Sequence, residues 1–252
     1  MPQQVELRFS KNRVKAAGKA LRRHHTGEST LARADLDQEI EMLDHWRACH
    51  SYPLQKATMG LRSRVATEGC VGARVSQRLK RRPTIIDKLT REPRMQLTTM
   101  QDIAGCRAVL RDVDEVRRVR RRWNRDKSRV LRVYDYMAEP KDSGYRGVHV
   151  VVQYDDYPVE VQLRTQFQHA WGVAIERVGP RIGHDLKSGE GPGEILHLFR
   201  VFGDMLAAAE GLPVEDFGWE DFQAATEAVP SSILAMVGLH VSGSDVHIVL
   251  PT

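Results

Sequence analysis

The sequence is poor in cysteine and has no long apolar run, and both absences narrow what it can be. Cys49, Cys70 and Cys106 stand alone, odd in number and without a CxxC pair. That argues against a disulfide framework and against a structural zinc site. No stretch of about eighteen consecutive apolar residues occurs, so no transmembrane helix is expected. The first residues, MPQQVELRFSKNRVKAAGK, lack the apolar core of a secretory leader. Internal repeats and low-complexity linkers are missing too. Together these absences lead us to expect a cytoplasmic protein with no membrane attachment.

The 252 residues suit one large domain, or one domain with appendages, and 41% apolar residues suffice for a core. The net charge of +5 is unevenly spread. Residues 71–132 hold nineteen Lys and Arg against seven Asp and Glu, a balance of +12. Residues 185–252 hold two against eleven, a balance of −9. A cationic block predicts an anionic partner such as nucleotide phosphates or RNA. Within it, RRVRRRWNR (117–125) reads equally well as a solvated helix face.

Residues 11–74 read as helical. In DLDQEIEMLDHWRACH, Leu36, Ile40, Leu43 and Trp46 recur at spacings of four and three, one stripe of a helix. Pro53 marks a break or a new start, and MGLRSRVATEGCVGARVSQRL continues in helix-like periodicity. CRAVL (106–110) reads as a short strand, RDVDEVRRVRRRW as a crossover helix and SRVLRVYDYM as a second strand. GYRGVHVVVQY and PVEVQLRT are two more strands, joined over hairpin length through Asp155, Asp156 and Tyr157. Helical patterning returns over 166–177 and in ILHLFRVFGDMLAAAEG. The last residues resemble a small hairpin turning at Gly243, Ser244 and Asp245. The expected fold is α+β, with a mixed sheet of four to five strands flanked by helices. Residues 1–45 would be an N-terminal helical extension, 46–180 the main domain, and 181–252 a helical region with the small hairpin.

Four stretches carry chemistry. PVEVQLRT alternates: Val159, Val161 and Leu163 form one face, Glu160, Gln162 and Arg164 the other. A wet face of an antiparallel sheet needs no function. Its surroundings decide. RLKRRPTIIDKLTRE offers Arg78, Lys80, Arg81, Arg82, Lys88 and Arg91, expected on a loop flexing around Pro83 and able to fold over a polyphosphate. DIAGCR places Asp102 and Arg107 at the start of a strand, fit for Mg²⁺ and a nucleotide, or for a plain turn. DYMAEPKDSGYRGVH sets Lys141 before a flexible turn, then Tyr145 as a stacking plate for a base, with His149 on the face of Val151 and Gln153. Glu160 could be a second metal carboxylate beside Asp102. Two acids, a cationic loop and an aromatic plate suit phosphoryl transfer.

RLKRRPTIIDKL, DIAGCR, PKDSGYRGVH and VEVQLRT, in this order, resemble the synthetase domain of the RelA/SpoT family. The flanking WRACHSYPLQ and FQHAWGVAIERVG look like its single-domain branch of small alarmone synthetases and toxin relatives. The resemblance implies a nucleotidyltransferase-like fold in which 46–180 would be the synthetase domain. It implies Mg²⁺-dependent transfer of the β,γ-pyrophosphate of ATP to a ribose 3′-hydroxyl. Arg78, Lys80, Thr84, Lys88 and Arg91 would then bind ATP, with Arg107 stacking on adenine. Asp102 would hold Mg²⁺, and Glu160 would hold it too or activate the hydroxyl. Tyr145 would stack on the acceptor base, Lys141 and His149 would lie near acceptor phosphates, and Gln162 and Arg164 would line the same face. Thr84 stands where the family usually has Ser, Gly147 where alarmone makers commonly have Ser, and GVAIERVG departs from the usual WAEIEH pattern. No His-Asp motif of the family's hydrolase domain occurs, so alarmone hydrolysis is not expected.

The acceptor is expected to be GDP or GTP, giving (p)ppGpp. The family's toxin chemistry is the alternative: pyrophosphate placed on the 3′-CCA end of tRNA, with an antitoxin protein as partner. RFSKNRVKAAGKALRRHH and the arginine-rich run would suit tRNA backbone. A relative that binds RNA or nucleotide without catalysis is a third class. Retention of Asp102, Glu160, Arg78, Lys80 and Tyr145 speaks against it.

Overall fold

The computed structural model describes residues 4–123, 128–214, 218–242 and 245–249. Three helices come first: α1 (Lys11–His25), α2 (Arg33–Cys49) and α3 (Ser51–Thr67). Ser10 caps α1 by accepting from the Arg13 amide, and Arg22 and Arg23 in its last turn suit the negative end of the helix dipole. After α3 the chain turns at Gly69 and Gly72, both at positive φ, a conformation glycine takes without strain. It then enters β1 (Arg74–Leu79).

The helical reading of 74–79 is therefore corrected to a strand. β1 is the edge of the sheet and mostly exposed, so no apolar alternation announces it. The loop expected around Pro83 is corrected as well. Lys80 leaves β1 directly, and α4 (Arg82–Arg91) starts with Pro83 in its first turn. Proline there fixes a helical φ and lacks only an N–H that would go unbonded, so it begins the helix instead of hinging a loop.

β2 (Ala104–Leu110), α5 (Val113–Trp123), β3 (Val130–Asp135), β4 (Val148–Tyr154) and β5 (Tyr157–Thr165) complete the sheet. Strand order is β1-β2-β5-β4-β3, with β2 and β5 parallel and the other neighbours antiparallel. The turn between β4 and β5 is shorter than expected. Only Asp155 and Asp156 lie outside the strands, both at positive φ, as a tight two-residue hairpin turn requires. β5 runs straight into α6 (Gln166–Ile182) through a capping box in which Thr165 and Gln168 satisfy each other's amides. α7 (Gly193–Ala209), α8 (Trp219–Glu227), α9 (Ser231–Val237) and the hairpin β6 (Leu239–Ser242) and β7 (Asp245–Ile248) follow. Gly243 and Ser244, expected at that last turn, and Asn124 and Arg125 of the arginine-rich run lie outside the described residues.

The period of two divides the sheet. Ala104, Cys106, Ala108, Val148, Val150, Val152, Val159, Val161 and Leu163 face one side and pack against Leu61 of α3 and Val116, Val119 and Trp123 of α5. Burying each Val or Leu of this set contributes roughly 1.5–3 kcal/mol, which fixes the register. The opposite face holds Arg107, His149, Glu160, Gln162 and Arg164, the polar set. Near the β1 end, Ile85 and Leu89 seal α4 onto Val14 and Leu21 of α1. At the other end, Tyr145 and Trp171 join Phe199 and Phe202 of α7 in a further core. Cys49, Cys70 and Cys106 are free and buried. Among the described residues no helix is long and apolar enough to cross a membrane.

Candidate active site

Strand register assembles the polar face. Ser76 of β1 lies opposite Arg107 of β2, Arg107 beside Gln162 of β5, Gln162 opposite His149 of β4, and His149 opposite Tyr134 of β3. The next row runs from Arg78 through Gly105 to Glu160. Gly105 has no side chain, so the floor between that guanidinium and that carboxylate stays open.

Five side chains close a hydrogen-bonded circuit. Arg164 Nη2 donates to Gln162 Oε1 at 2.9 Å, and Gln162 Nε2 donates to Glu160 Oε2 at 2.5 Å. His149 Nδ1 lies 3.0 Å from Glu160 Oε1. His149 Nε2 lies 2.6 Å from the Tyr145 hydroxyl, which accepts from Arg164 Nε at 3.0 Å. The circuit is consistent with a proton on Nδ1, so that Tyr145 donates to Nε2 and His149 donates to Glu160. Burial works against ionisation of Glu160. The bonds from His149 and Gln162 and the nearby positive charge more than offset it, bringing the carboxyl from 4.5 down to about 2. All five residues stand out in the sequence, and the fold brings them together.

A second cluster sits at the β1 end. Asp102, just before β2, accepts from Lys80 Nζ at 2.7 Å and from Lys88 Nζ at 3.0 Å. Burial would raise its carboxyl, but these two ammonium groups hold it below its ordinary value, and Glu160 is close enough to push the other way. Lys80 is only 7% exposed, so its charge is committed to this site. Arg47 of α2 donates to the Lys80 carbonyl at 2.7 Å and steadies the strand-to-helix turn. Arg78 and Thr84 are exposed. Arg107 is half-buried, and burial together with the charge of Arg164 lowers its pKa. Arg91 is held by Asp185 at 2.6 Å.

Two expectations meet a different geometry. The Tyr145 ring is no open plate: it is 4% exposed and packs 5.7 Å from Trp171, because α7 closes over its turn. Instead Tyr136 lies half-buried at the rim, 5.2 Å from His149 edge-on, stacked on Tyr134 at 5.9 Å, with Lys141 Nζ 4.7 Å above it. Sequence reasoning missed Tyr136, although Tyr134 and Tyr136 share a strand-like spacing of two. The arginine-rich run also changes meaning. α5 packs on the apolar face of the sheet, behind the polar set. Arg118 and Arg122 pair with Glu68, and Arg120 with Asp135.

Asp102 and Glu160 are hard oxygen donors, ionised and electrostatically coupled, in a cluster of cations. Two carboxylates with phosphate oxygens completing the shell suit Mg²⁺. Among the described residues no group of three or more His, Cys, Asp and Glu side chains could hold a metal by protein ligands alone.

Residues 77–177 match the family described as a region found in RelA / SpoT proteins. An uncharacterized protein of Mycobacterium tuberculosis is 30% identical over 154 residues, 58% of this chain and 56% of that protein. The GTP pyrophosphokinase YjbM of Bacillus subtilis is 36% identical over 110 residues, 39% of this chain and 52% of that protein. The chain thus spans about half the length of the curated relatives it matches. Among solved structures, the small alarmone synthetase 1 from Bacillus subtilis superposes with TM-score 0.53 at 25% identity, covering 69% of this chain and 93% of that one. The five-stranded mixed sheet and the helices around it agree with that neighbour's fold. The chain therefore carries, from β1 into α6, a RelA/SpoT-family domain.

Proposed function

We propose that the cleft on the polar face transfers the β,γ-pyrophosphate of ATP to the ribose 3′-hydroxyl of GDP or GTP. One observation carries the reading. An ionised Glu160, fixed from both sides by His149 and Gln162, faces an ionised Asp102 held by Lys80 and Lys88 across a floor left open by Gly105. The likeness to a GTP pyrophosphokinase and to small alarmone synthetases supports the same chemistry.

Arg78, Lys80, Lys88 and Arg91 would bind the triphosphate, Arg107 would cover adenine, and Thr84 would add a hydroxyl at the start of α4. Mg²⁺, when held by Asp102 and Glu160, would neutralise charge on the transferring group. The acceptor 3′-oxygen gives up its proton to solvent water and bonds to the β-phosphorus, while the bond from that phosphorus to the oxygen bridging to the α-phosphorus breaks. AMP leaves with the bridging oxygen. A carboxyl near 2 is a weak base, so Glu160 serves better to hold the hydroxyl and metal than to keep its proton. Lys141, Tyr136 and the Tyr145–His149 pair form the acceptor end.

The 3′-end of tRNA is the second reading. It is favoured by the exposed Lys15 and Lys19 of α1, which with Arg22 and Arg94 line a cleft of about 460 Å³ without an acid in it. Incubation with γ-³²P-ATP plus GDP, GTP or deacylated tRNA, at two salt concentrations, tests both. Labelled GDP or GTP supports the first reading. Salt-sensitive labelling of tRNA alone supports the second, and no labelling of any acceptor refutes both.

A further inference from the structure

α7 stands outside the family-matched stretch, yet it holds the acceptor-side turn. The chain from Tyr136 to Gly147 closes on itself: the Tyr136 amide donates to the Gly147 carbonyl at 2.9 Å, Lys141 to Tyr145 at 3.2 Å and Gly144 to Lys141 at 2.8 Å. This turn lies directly on the α7 backbone. A Cβ at Gly144, where φ is +83°, would stand 2.8 Å from Arg200 Cα. A Cβ at Gly203 would stand 2.3 Å from the Gly144 oxygen. Two glycines facing each other thus permit a backbone-to-backbone seat. Beside it, Arg146 Nη2 donates to Asp204 Oδ1 at 2.8 Å, with the Arg146 side chain only 5% exposed. Trp171 Nε1 donates to the Phe199 carbonyl at 2.8 Å and ties α6 to the same stretch of α7.

We infer that Asp204, acting through Arg146, is a positioning residue for the acceptor half of the cleft, and that the Gly144–Gly203 contact is the seat on which it works. Asp204 touches neither reacting group. It fixes the turn that sets where Lys141 and Tyr145 stand, and Tyr145 in turn orients His149 and Arg164. The donor cluster at Asp102 hangs from β1, β2 and α4, whereas Gly203 meets Gly144 and Asp204 bonds Arg146, all on the acceptor side. Loosening the seat should therefore be felt by the acceptor and not by ATP. The inference rests on the transfer reading above, so its test has one arm that needs no catalysis.

Asp204→Asn keeps the shape and removes the charge; Asp204→Ala removes the partner altogether. In the first arm, hydrogen exchange is followed at the Lys141 and Gly144 amides. We expect it to accelerate about tenfold or more in both variants, while β4 and β5 amides keep their protection, as local opening predicts. In the second arm, KM for the acceptor that the wild type uses should rise about tenfold, with kcat within about twofold and KM for ATP unchanged. A smaller population of the binding-ready turn has that signature. Asp204→Glu, which restores the charge, should recover at least half of the change in log KM. Unchanged exchange at Lys141 and Gly144 in both variants would overturn the inference. So would a KM for ATP that rises as much as that for the acceptor. If the wild type transfers to no acceptor, the transfer reading fails, and the exchange arm still decides whether Asp204 holds the turn.

Discussion

Replacing Glu160 by Gln tests the hydrogen-bonded circuit and its electrostatics together. Glu160 accepts from His149 and from Gln162. The amide of Gln offers one acceptor and one donor, so one of those pairings becomes donor against donor. Gln162 cannot flip to relieve it, because its oxygen already accepts from Arg164. Leaving a buried donor unsatisfied in this way costs about 1–3 kcal/mol. The pH dependence is more diagnostic. The folded carboxyl titrates near 2 against 4.5 for the free group. A depressed acid contributes stability above the unfolded value and loses it as pH falls towards the folded one. By linkage, about 2 kcal/mol of the wild-type advantage should be gone by about pH 3 and only about 0.8 by about pH 4. Urea denaturation of both proteins at neutral pH and at these two values measures the gap directly. A gap that stays constant with pH would refute the depressed carboxyl. At neutral pH the variant, lacking the carboxylate that would hold the metal and the hydroxyl, should also transfer about 10²-fold more slowly. Retention of more than about half of wild-type turnover would remove Glu160 from the chemistry.

Lys80→Ala and Lys88→Ala each leave Asp102 with one ammonium partner, so both should raise the ATP concentration needed for half-maximal transfer about 5- to 50-fold; ATP titration checks this. Gly147→Ser should lower stability by roughly 1–3 kcal/mol and slow transfer, because φ is +144° and the new Cβ would stand 3.0 Å from the Tyr145 hydroxyl; thermal unfolding reads the first effect. Replacing Arg120, Arg121 and Arg122 together by Gln should leave transfer to any acceptor unchanged, since α5 lies behind the sheet. It should cost only about 1 kcal/mol, from half-buried surface pairs with Asp135 and Glu68. Selective failure of tRNA labelling in that variant would contradict this placement.

The β5 alternation is legible because a half-buried strand writes its period into the sequence. β2, β3 and β4 are legible from short apolar runs of their own. The closed circuit is not legible, because it depends on the β4–β5 register that sets His149 opposite Gln162. β1 is misread as helix because an edge strand exposed on most of its length carries no apolar period. Pro83 is misread as a hinge because proline opens a helix as readily as it breaks one. Tyr145 is expected in the open because its burial is imposed by α7, more than fifty residues downstream, through a close approach of two backbones that no side-chain pattern records.

Among the described strands the pairing of β2 with β5 is the one parallel seam in an otherwise antiparallel sheet, and it joins Gly105 to Glu160 across the intervening α5, β3 and β4. The β4–β5 hairpin forms from immediate neighbours in sequence, and β1 and β2 are joined through α4 alone of the α-helices. The seam closes over a longer stretch of chain, and closure of that kind costs more loop entropy and slows folding. Until it closes, Asp102 and Glu160 belong to separate fragments, and neither fragment alone holds both acids. If the cleft transfers pyrophosphate as proposed, a chain whose seam is open cannot bring both acids to one site, so the activity requires this long-range pairing.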